Sequence, residues 1–174
     1  MGNRNVCITK NCKLRVPDKP HISFPDGWHL VVDCEHVGTD KSDLPPDVAT
    51  ELLWLTMVAG RALHATMWDL GYPLYQVNYQ DNGNWPYLEG KFPHIHTHIY
   101  GRAKGETLQT YGQALVLPDP HDEYYDKLEI APASAVDLLA SYVREVASAP
   151  DMSWGGPLFM MWGGDGIVKL RSID

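Results

Sequence analysis

Histidines stand at alternate positions in His94-Ile95-His96-Thr97-His98, and this stretch constrains the fold of the 174-residue chain more than any other. On an extended strand, side chains repeat every two residues, so the three imidazoles project from one face with neighbours about 7 Å apart. Ile95 and Ile99 then point to the opposite face, where a core takes them, and Thr97 has to be accommodated beside them. A packed strand rarely devotes three alternate positions to a titratable ring. The plain alternative is a His-rich surface strand or a fortuitous metal-binding patch. The spacing favours a row of rings assembled for chemistry.

The rest of the composition is that of an ordinary globular chain, 44% apolar and 21% charged. Its length suits one domain with a sizeable core. No apolar run approaches the roughly 18 residues needed to span a bilayer, and no signal peptide opens the sequence, so no membrane association is expected. A net charge of −8 argues against a general nucleic-acid surface, because phosphate backbones need a basic face. A small anionic ligand fits, held by a local cluster of imidazoles and lysine. Cys7, Cys12 and Cys34 are an odd number without a secretory signal, which points to a reducing, cytoplasmic location.

Residues 1–20 are polar, end in Pro17 and Pro20, and read as an irregular N-terminal arm. His29 to Asp33 reads as a buried strand introduced by a Pro25-Asp26-Gly27 turn. Ser42 or Asp43 is placed to cap a helix carrying Pro45 and Pro46 in its first turn. Val48, Leu52, Leu55, Ala59, Ala62 and Leu63 recur at helical spacing until Gly71, which predicts a helix of about two dozen residues with one apolar stripe on a sheet. Leu74 to Tyr79 is a further strand, followed by an Asp81-Asn82-Gly83-Asn84 turn and a loop through Pro86 and Gly90 to Pro93. The histidine strand closes at Gly101. Residues 104–131, rich in Pro, Asp and Tyr, read as a long ordered excursion. Val136, Leu139, Val143 and Val146 predict a second helix from Pro132 to about Ser148. The glycine-rich tail around Met160, Met161 and Trp162 is a candidate strand or hairpin; its glycines lack the spacing and the Lys-Ser/Thr of a phosphate loop and read as turns. The acidic stretch Asp119 to Glu129, with His121, reads as a solvated loop.

Strand, long helix, strand, loop and a strand of alternating histidines is the order found in the histidine triad family of nucleotide hydrolases and transferases, which this chain resembles. The family signature is His-φ-His-φ-His-φ-φ, with φ apolar, matched by His94-Ile95-His96-Thr97-His98-Ile99-Tyr100 with Thr97 departing at one φ position. A His-φ-φ-φ strand ahead of the helix is matched by Trp28-His29-Leu30-Val31-Val32, and an Asn before the triad by Asn78. The match spans roughly residues 20–102, so the chain divides into an arm (1–20), a triad-like core (21–103) and a C-terminal extension of the same domain (104–174) like that of bacterial diadenosine tetraphosphate hydrolase-like members. The resemblance implies an α+β fold: an antiparallel, curved sheet with the long helix packed across it, plus an extension with a second helix. It also implies a homodimer.

For the chemistry, the resemblance implies that His96 is the nucleophile on a nucleoside 5′-α-phosphate, giving a nucleotidyl-histidine that water then hydrolyses. Imidazole suits that task, because with an ordinary pKa near 6.5 it is largely neutral at pH 7. His98 would donate a proton or hydrogen bond to the departing oxygen, and His94 and His29 would complete the row. Asn78 would bind a phosphate oxygen or ribose. The Gly-Gln-Ser/Thr run of many members is replaced by Glu89-Gly90-Lys91-Phe92-Pro93, where Lys91 could supply phosphate charge. A common Pro is replaced by Asp33, and His21 stands where some members carry a ribose-binding acid. Dinucleoside polyphosphates are the expected small-molecule substrates. The alternatives are a nucleoside phosphoramidate hydrolase, a nucleotidyl transferase, and a zinc-containing nucleotide binder without turnover. No cofactor is required by the chemistry; a structural zinc held by Cys7, Cys12, His36 and His94 is the competing metal reading.

Overall fold

A computed structural model of the protein describes residues 4–35, 38, 40–81, 85–88, 90–92, 94–152, 158–162 and 168–172, with backbone alone for Asp151 and the last two stretches. The turn at Asn82-Gly83-Asn84, Pro93, Glu89, His36 and the tail glycines lie outside the described residues.

The N-terminal arm is not irregular. Its residues form two antiparallel strands, β1 (Arg4–Ile8) and β2 (Cys12–Val16). In β2, Cys12, Leu14 and Val16 are buried while Lys13 and Arg15 are half-buried, the two-residue alternation of a strand with one face on the core. The run is five residues long and interleaved with cations, which hides the period in a polar segment.

β3 (His29–Cys34), buried at every position, pairs with β2 on one side and with β5 (His96–Ala103) on the other. β4 (Leu74–Gln80) lies beyond β5. Among the described residues the strands form one sheet in the order β4-β5-β3-β2-β1-β7-β6, where β6 is Leu158–Trp162 and β7 is Val168–Ser172. The pairings are antiparallel except that of β7 with β1, which is parallel. The α+β architecture expected from the sequence is the one observed.

Helix α1 (Pro46–Asp69, 24 residues) packs on the sheet face that carries Leu14, Leu30, Val32 and Ile99. Its expected stripe, Val48, Leu52, Leu55, Ala59, Ala62 and Leu63, is buried throughout. Burying each such aliphatic side chain stabilises the fold by about 1.5–3 kcal/mol relative to leaving it in water. The expected cap at Ser42 or Asp43 is absent. Those residues belong to a short 3-10 turn (Lys41–Asp43), which Asp40 caps by accepting from the Ser42 amide at 2.8 Å. α1 instead begins behind Pro45 with a proline at its first turn, where the missing N–H has no helical partner to lose. It stops before Gly71, whose φ of +83° lies in the left-handed region. Helix α3 (Ala133–Ser148) packs beside α1 through Ala135, Val136, Leu139 and Val143. A four-residue helix, α2 (Trp85–Leu88), sits in the loop before β5.

β5 runs past its expected end at Gly101 to Ala103. At Gly101 a Cβ would lie 2.0 Å from the carbonyl oxygen of Gly27, so the glycine marks a backbone close approach and not a strand end. The excursion after β5 is ordered by buried Arg102, whose guanidinium is paired with both carboxylate oxygens of Glu106 and also donates to the carbonyls of Thr110 and Gln113. Farther on, the Tyr124 hydroxyl donates to the His21 carbonyl, and the Phe24 amide donates to the Glu129 carbonyl. The excursion is thereby stitched to the segment that leads into β3. Among the described residues no helix is long and apolar enough to cross a membrane.

Candidate functional site

Strand register decides which side chains share the face opposite α1. Across β3 and β5, His29 is paired with Tyr100, Val31 with His98 and Asp33 with His96; across β2 and β3, Arg15 is paired with Val31. Directly opposed residues of antiparallel strands project to the same side. One face therefore carries His29, Asp33, His96, His98, Tyr100 and Arg15. Asn78, opposite Tyr100 on β4, shares it and is half-buried.

His94 is the exception to the expected strand row. It precedes β5, with its side chain 57% exposed, and reaches the site from the entering loop. Its ring stacks on His96 at 4.6 Å between centroids. Lys91 lies exposed on the loop between α2 and β5, its amide bonded to the Pro86 carbonyl.

The rings form a continuous hydrogen-bonded chain. The backbone N–H of His21 donates to His29 Nδ1 at 3.1 Å. His29 Nε2 lies 2.9 Å from His98 Nδ1, and His98 Nε2 lies 2.9 Å from His96 Nε2. At the far end, His96 Nδ1 donates to the His94 carbonyl at 2.8 Å. A backbone donor anchors one end and a backbone acceptor the other, so one set of neutral tautomers satisfies the whole row. His29 receives at Nδ1 and donates from Nε2; His98 receives at Nδ1 and donates from Nε2; His96 carries its proton on Nδ1 and leaves a lone pair on Nε2.

Electrostatics agree with neutral rings. Burial, then the neighbouring imidazoles, lowers the pKa of His29 well below its usual value. Burial also lowers His96, and it brings His21 down to about 4 with a smaller contribution from His96. On the other flank, burial acts to raise the Asp33 pKa, but hydrogen bonds from His94 and Arg15 outweigh it and hold the carboxyl below the ordinary carboxylate range. Arg15 grips both Asp33 oxygens, through Nε on one and Nη2 at 3.2 Å on the other. His94 Nε2 lies 3.4 Å from Asp33 Oδ1.

The structure brings His29, His94, His96 and His98 together. It adds His21, which the sequence marks only as a departure: its ring stacks on His29 at 4.4 Å and its Nδ1 lies 2.7 Å from the Tyr100 hydroxyl. Trp85 and Tyr125 flank His21, with centroids at 4.9 Å and 5.9 Å. Sequence reasoning missed Arg15, Tyr100, Trp85 and Tyr125 as neighbours of the row. A signal existed for Tyr100, because it continues the triad alternation by one further step. None existed for Trp85 and Tyr125, which arrive from loops.

Leading into β3, Gly27 (φ +138°) is followed by Trp28 at φ +72°, a left-handed conformation that is an outlier for a bulky residue. Trp28 is buried and, among the described residues, its indole N–H has no hydrogen-bond partner. A strained residue thus immediately precedes His29, behind a glycine that takes up the turn without strain.

Among the described residues, two groups have the spacing to hold a metal ion, His21 with His29 and His98, and Asp33 with His94 and His96. His29, His98 and His96 already use ring nitrogens in the hydrogen-bonded row, His21 Nδ1 is with the Tyr100 hydroxyl, and Asp33 is held by Arg15 and His94, so an ion would have to displace some of those bonds. The Cys7, Cys12 and His94 portion of the expected zinc set does not assemble. Cys7 and Cys12 align with Leu14 on the α1 side of the sheet, whereas His94 bonds Asp33 on the opposite side.

No family model and no curated protein matches the chain. Solved structures do. A histidine triad protein from Sinorhizobium meliloti aligns at 14% identity and a TM-score of 0.57, covering 83% of this chain and 89% of the other. A zinc-bound histidine triad family protein from Mycobacterium smegmatis aligns at 18% identity and a TM-score of 0.53, covering 83% and 86%. A hypothetical histidine triad nucleotide-binding protein from Sulfolobus tokodaii aligns at 14% identity and a TM-score of 0.53, covering 89% and 93%. With the ordered strands and the ring row already in view, the chain has the fold of the histidine triad proteins.

Proposed function

We propose that this chain is a nucleotide-binding histidine triad hydrolase that cleaves at a nucleoside 5′-α-phosphate through a nucleotidyl-His96 intermediate. The observation that carries the reading is the commitment of the His96 Nδ1 proton to the His94 carbonyl, which leaves Nε2 as the unprotonated, nucleophilic nitrogen, its lone pair held by His98 until substrate takes that place. Attack by Nε2 on the α-phosphorus forms a P–N bond, breaks the P–O bond and puts positive charge on the ring. The carbonyl at Nδ1 stabilises that charge through the same hydrogen bond. His98 Nε2–H, 2.9 Å from His96 Nε2 before substrate arrives, transfers its hydrogen bond to the departing oxygen. Water then attacks phosphorus, the P–N bond breaks, and the nucleoside monophosphate leaves with neutral His96 restored. Asn78 binds a phosphate oxygen or ribose, and Lys91 offers charge to the polyphosphate.

The row also bears on the substrate. A neutral ring chain ending on a backbone N–H has no spare proton to give away completely. It suits a leaving group that departs as a stable anion, which places dinucleoside polyphosphates ahead of phosphoramidates, whose amine must leave protonated. Nucleotidyl transfer to another acceptor follows if water is replaced in the second step. The nucleotide-binding relative supports the ligand class. The zinc-bound relative supports a structural zinc as a second reading, with the displacement cost described above.

A homodimer would use the exposed Leu53, Met57 and Trp68 of α1 and Tyr79 of the edge strand β4. The test of the activity is incubation with diadenosine tetraphosphate and acid-free quenching, followed by intact mass. Addition of one adenosine monophosphate to the wild type and none to His96→Asn is expected; equal turnover in both proteins overturns the assignment.

A further inference from the structure

On the α1 side of the sheet, away from the histidines, Cys12 of β2 and Cys34 of β3 are direct cross-strand partners. Their backbones do not bond each other. The Cys12 amide and carbonyl are both taken by Thr9, the Cys34 amide donates to the Ile95 carbonyl, and the next ladder bond runs from the Glu35 amide to the Asn11 carbonyl. The pair is thus of the non-hydrogen-bonded kind, in which Cα atoms approach to about 4.5 Å and side chains come closest. That separation falls inside the range of about 4.4–6.8 Å that a disulfide spans. The two thiols lie 2.9 Å apart, Sγ to Sγ. Two sulfurs bound to one tetrahedral zinc at about 2.3 Å each are held roughly 3.7 Å apart, so the thiols are nearer than metal chelation requires. Cys7, the remaining thiol, is paired with Leu14 in the ladder and not with either cysteine.

We propose that Cys12 and Cys34 are an oxidisable dithiol that a peroxide closes to a cross-strand disulfide in the folded protein. Cys34, 6% exposed against 2% for Cys12, is the thiol that meets the oxidant first. Its sulfur, as thiolate, attacks one peroxide oxygen; the O–O bond breaks, hydroxide leaves and is protonated to water, and Cys34 becomes a sulfenic acid. Cys12 then attacks that sulfur, the S–O bond breaks, and a second water departs with the Cys12 proton. Two thiols and one hydrogen peroxide become one disulfide and two waters. The site is built by the sheet and is independent of any nucleotide chemistry. The new bond closes the segment between positions 12 and 34, and Cys34 also holds the loop entering β5 through Ile95. Oxidation therefore cross-links the strands behind the histidine row and raises resistance to unfolding.

The test exposes the full folded chain to hydrogen peroxide, blocks remaining thiols, and reads intact mass and peptides under non-reducing conditions. Loss of two hydrogens, mapped to a Cys12–Cys34 peptide pair in the wild type and in Cys7→Ser, and absent in Cys34→Ser, is expected. The product should be single in the folded chain and mixed among the three cysteines when oxidation is done in urea. A rise in the thermal unfolding midpoint that a thiol reductant reverses should accompany it. Overoxidation of separate thiols to sulfinic acids without a disulfide, a Cys7-containing bridge in the folded protein, or full retention of both thiols overturns the proposal.

Discussion

His96 Nδ1 and the carbonyl oxygen of His94 meet at 2.8 Å, so the residue two positions upstream sets the tautomer of the central ring through its backbone and not its side chain. Replacing the His94 ring leaves that contact in place, whereas replacing the rings of His98 or His29 breaks the chain from the other end.

His98→Ala is expected to lower kcat on a dinucleoside polyphosphate by about 10²–10³-fold, the usual worth of a positioned hydrogen-bond donor to developing charge. His94→Ala should cost far less, because the main-chain acceptor survives. Steady-state rates of the two variants check this, and equal losses would refute the division of roles.

Because the row is neutral, a phosphoramidate substrate needs a proton from outside it while a polyphosphate does not. Burial lowers the pKa of His96, His29 and His21, so these three rings are protonated only below the usual imidazole range. Phosphoramidate turnover should therefore rise as pH falls toward 6 from 8, while polyphosphate turnover stays level until His96 itself protonates. Parallel pH–rate profiles for the two substrates would contradict the tautomer assignment.

The same shifts govern stability. A histidine whose folded pKa is depressed takes up its proton more readily when unfolded, so its contribution is fully present above the unfolded value near 6.5 and is lost as pH falls. For His21 the loss runs down to its folded value of about 4, and amounts to roughly 3 kcal/mol over that window. Urea midpoints measured from pH 7.5 to pH 4.5 should fall steadily, and His21→Gln should flatten the dependence. A midpoint that holds constant across this range would show that the rings are not buried as neutral groups.

Asp33→Asn leaves the largely buried Arg15 guanidinium without its carboxylate partner. Breaking one side of such a pair destabilises by about 3–5 kcal/mol, and the double change Arg15→Met with Asp33→Leu should recover much of that loss. Chemical denaturation of the single and double variants measures the difference, with no recovery as the adverse result.

Gly101→Ala would drive a Cβ to 2.0 Å from the Gly27 carbonyl and 2.8 Å from Leu74. Backbone cannot yield there without separating β5 from the turn that carries Trp28, so destabilisation above about 3 kcal/mol is expected. Gly105→Ala, with open space around it, serves as the control and should be near neutral.

Local periodicity made much of this molecule legible. The helix stripe from Val48 to Leu63 and that from Val136 to Val143 follow from a 3.6-residue period, and the common side of His96 and His98 from a two-residue one. The β1–β2 hairpin escaped because its strands are short and carry Lys13 and Arg15 on the face that borders the histidines, where polarity is the correct choice and not a sign of irregular chain. The capping of α1 was misread for a similar reason: Ser42 and Asp43 have cap chemistry, but the chain uses them in a separate turn held by Asp40.

The amino-acid order by itself determined the alternation of rings and the long amphipathic helix, since each is a property of neighbours along the chain, while the antiparallel α+β plan followed from the resemblance to histidine triad proteins. Tertiary structure alone decided that His21 caps the row, that Arg15 holds Asp33, that Trp85 and Tyr125 close on His21, and that Cys12 faces Cys34. Those relationships depend on strand register and on loops folding back, and no local periodicity encodes a partner in another element.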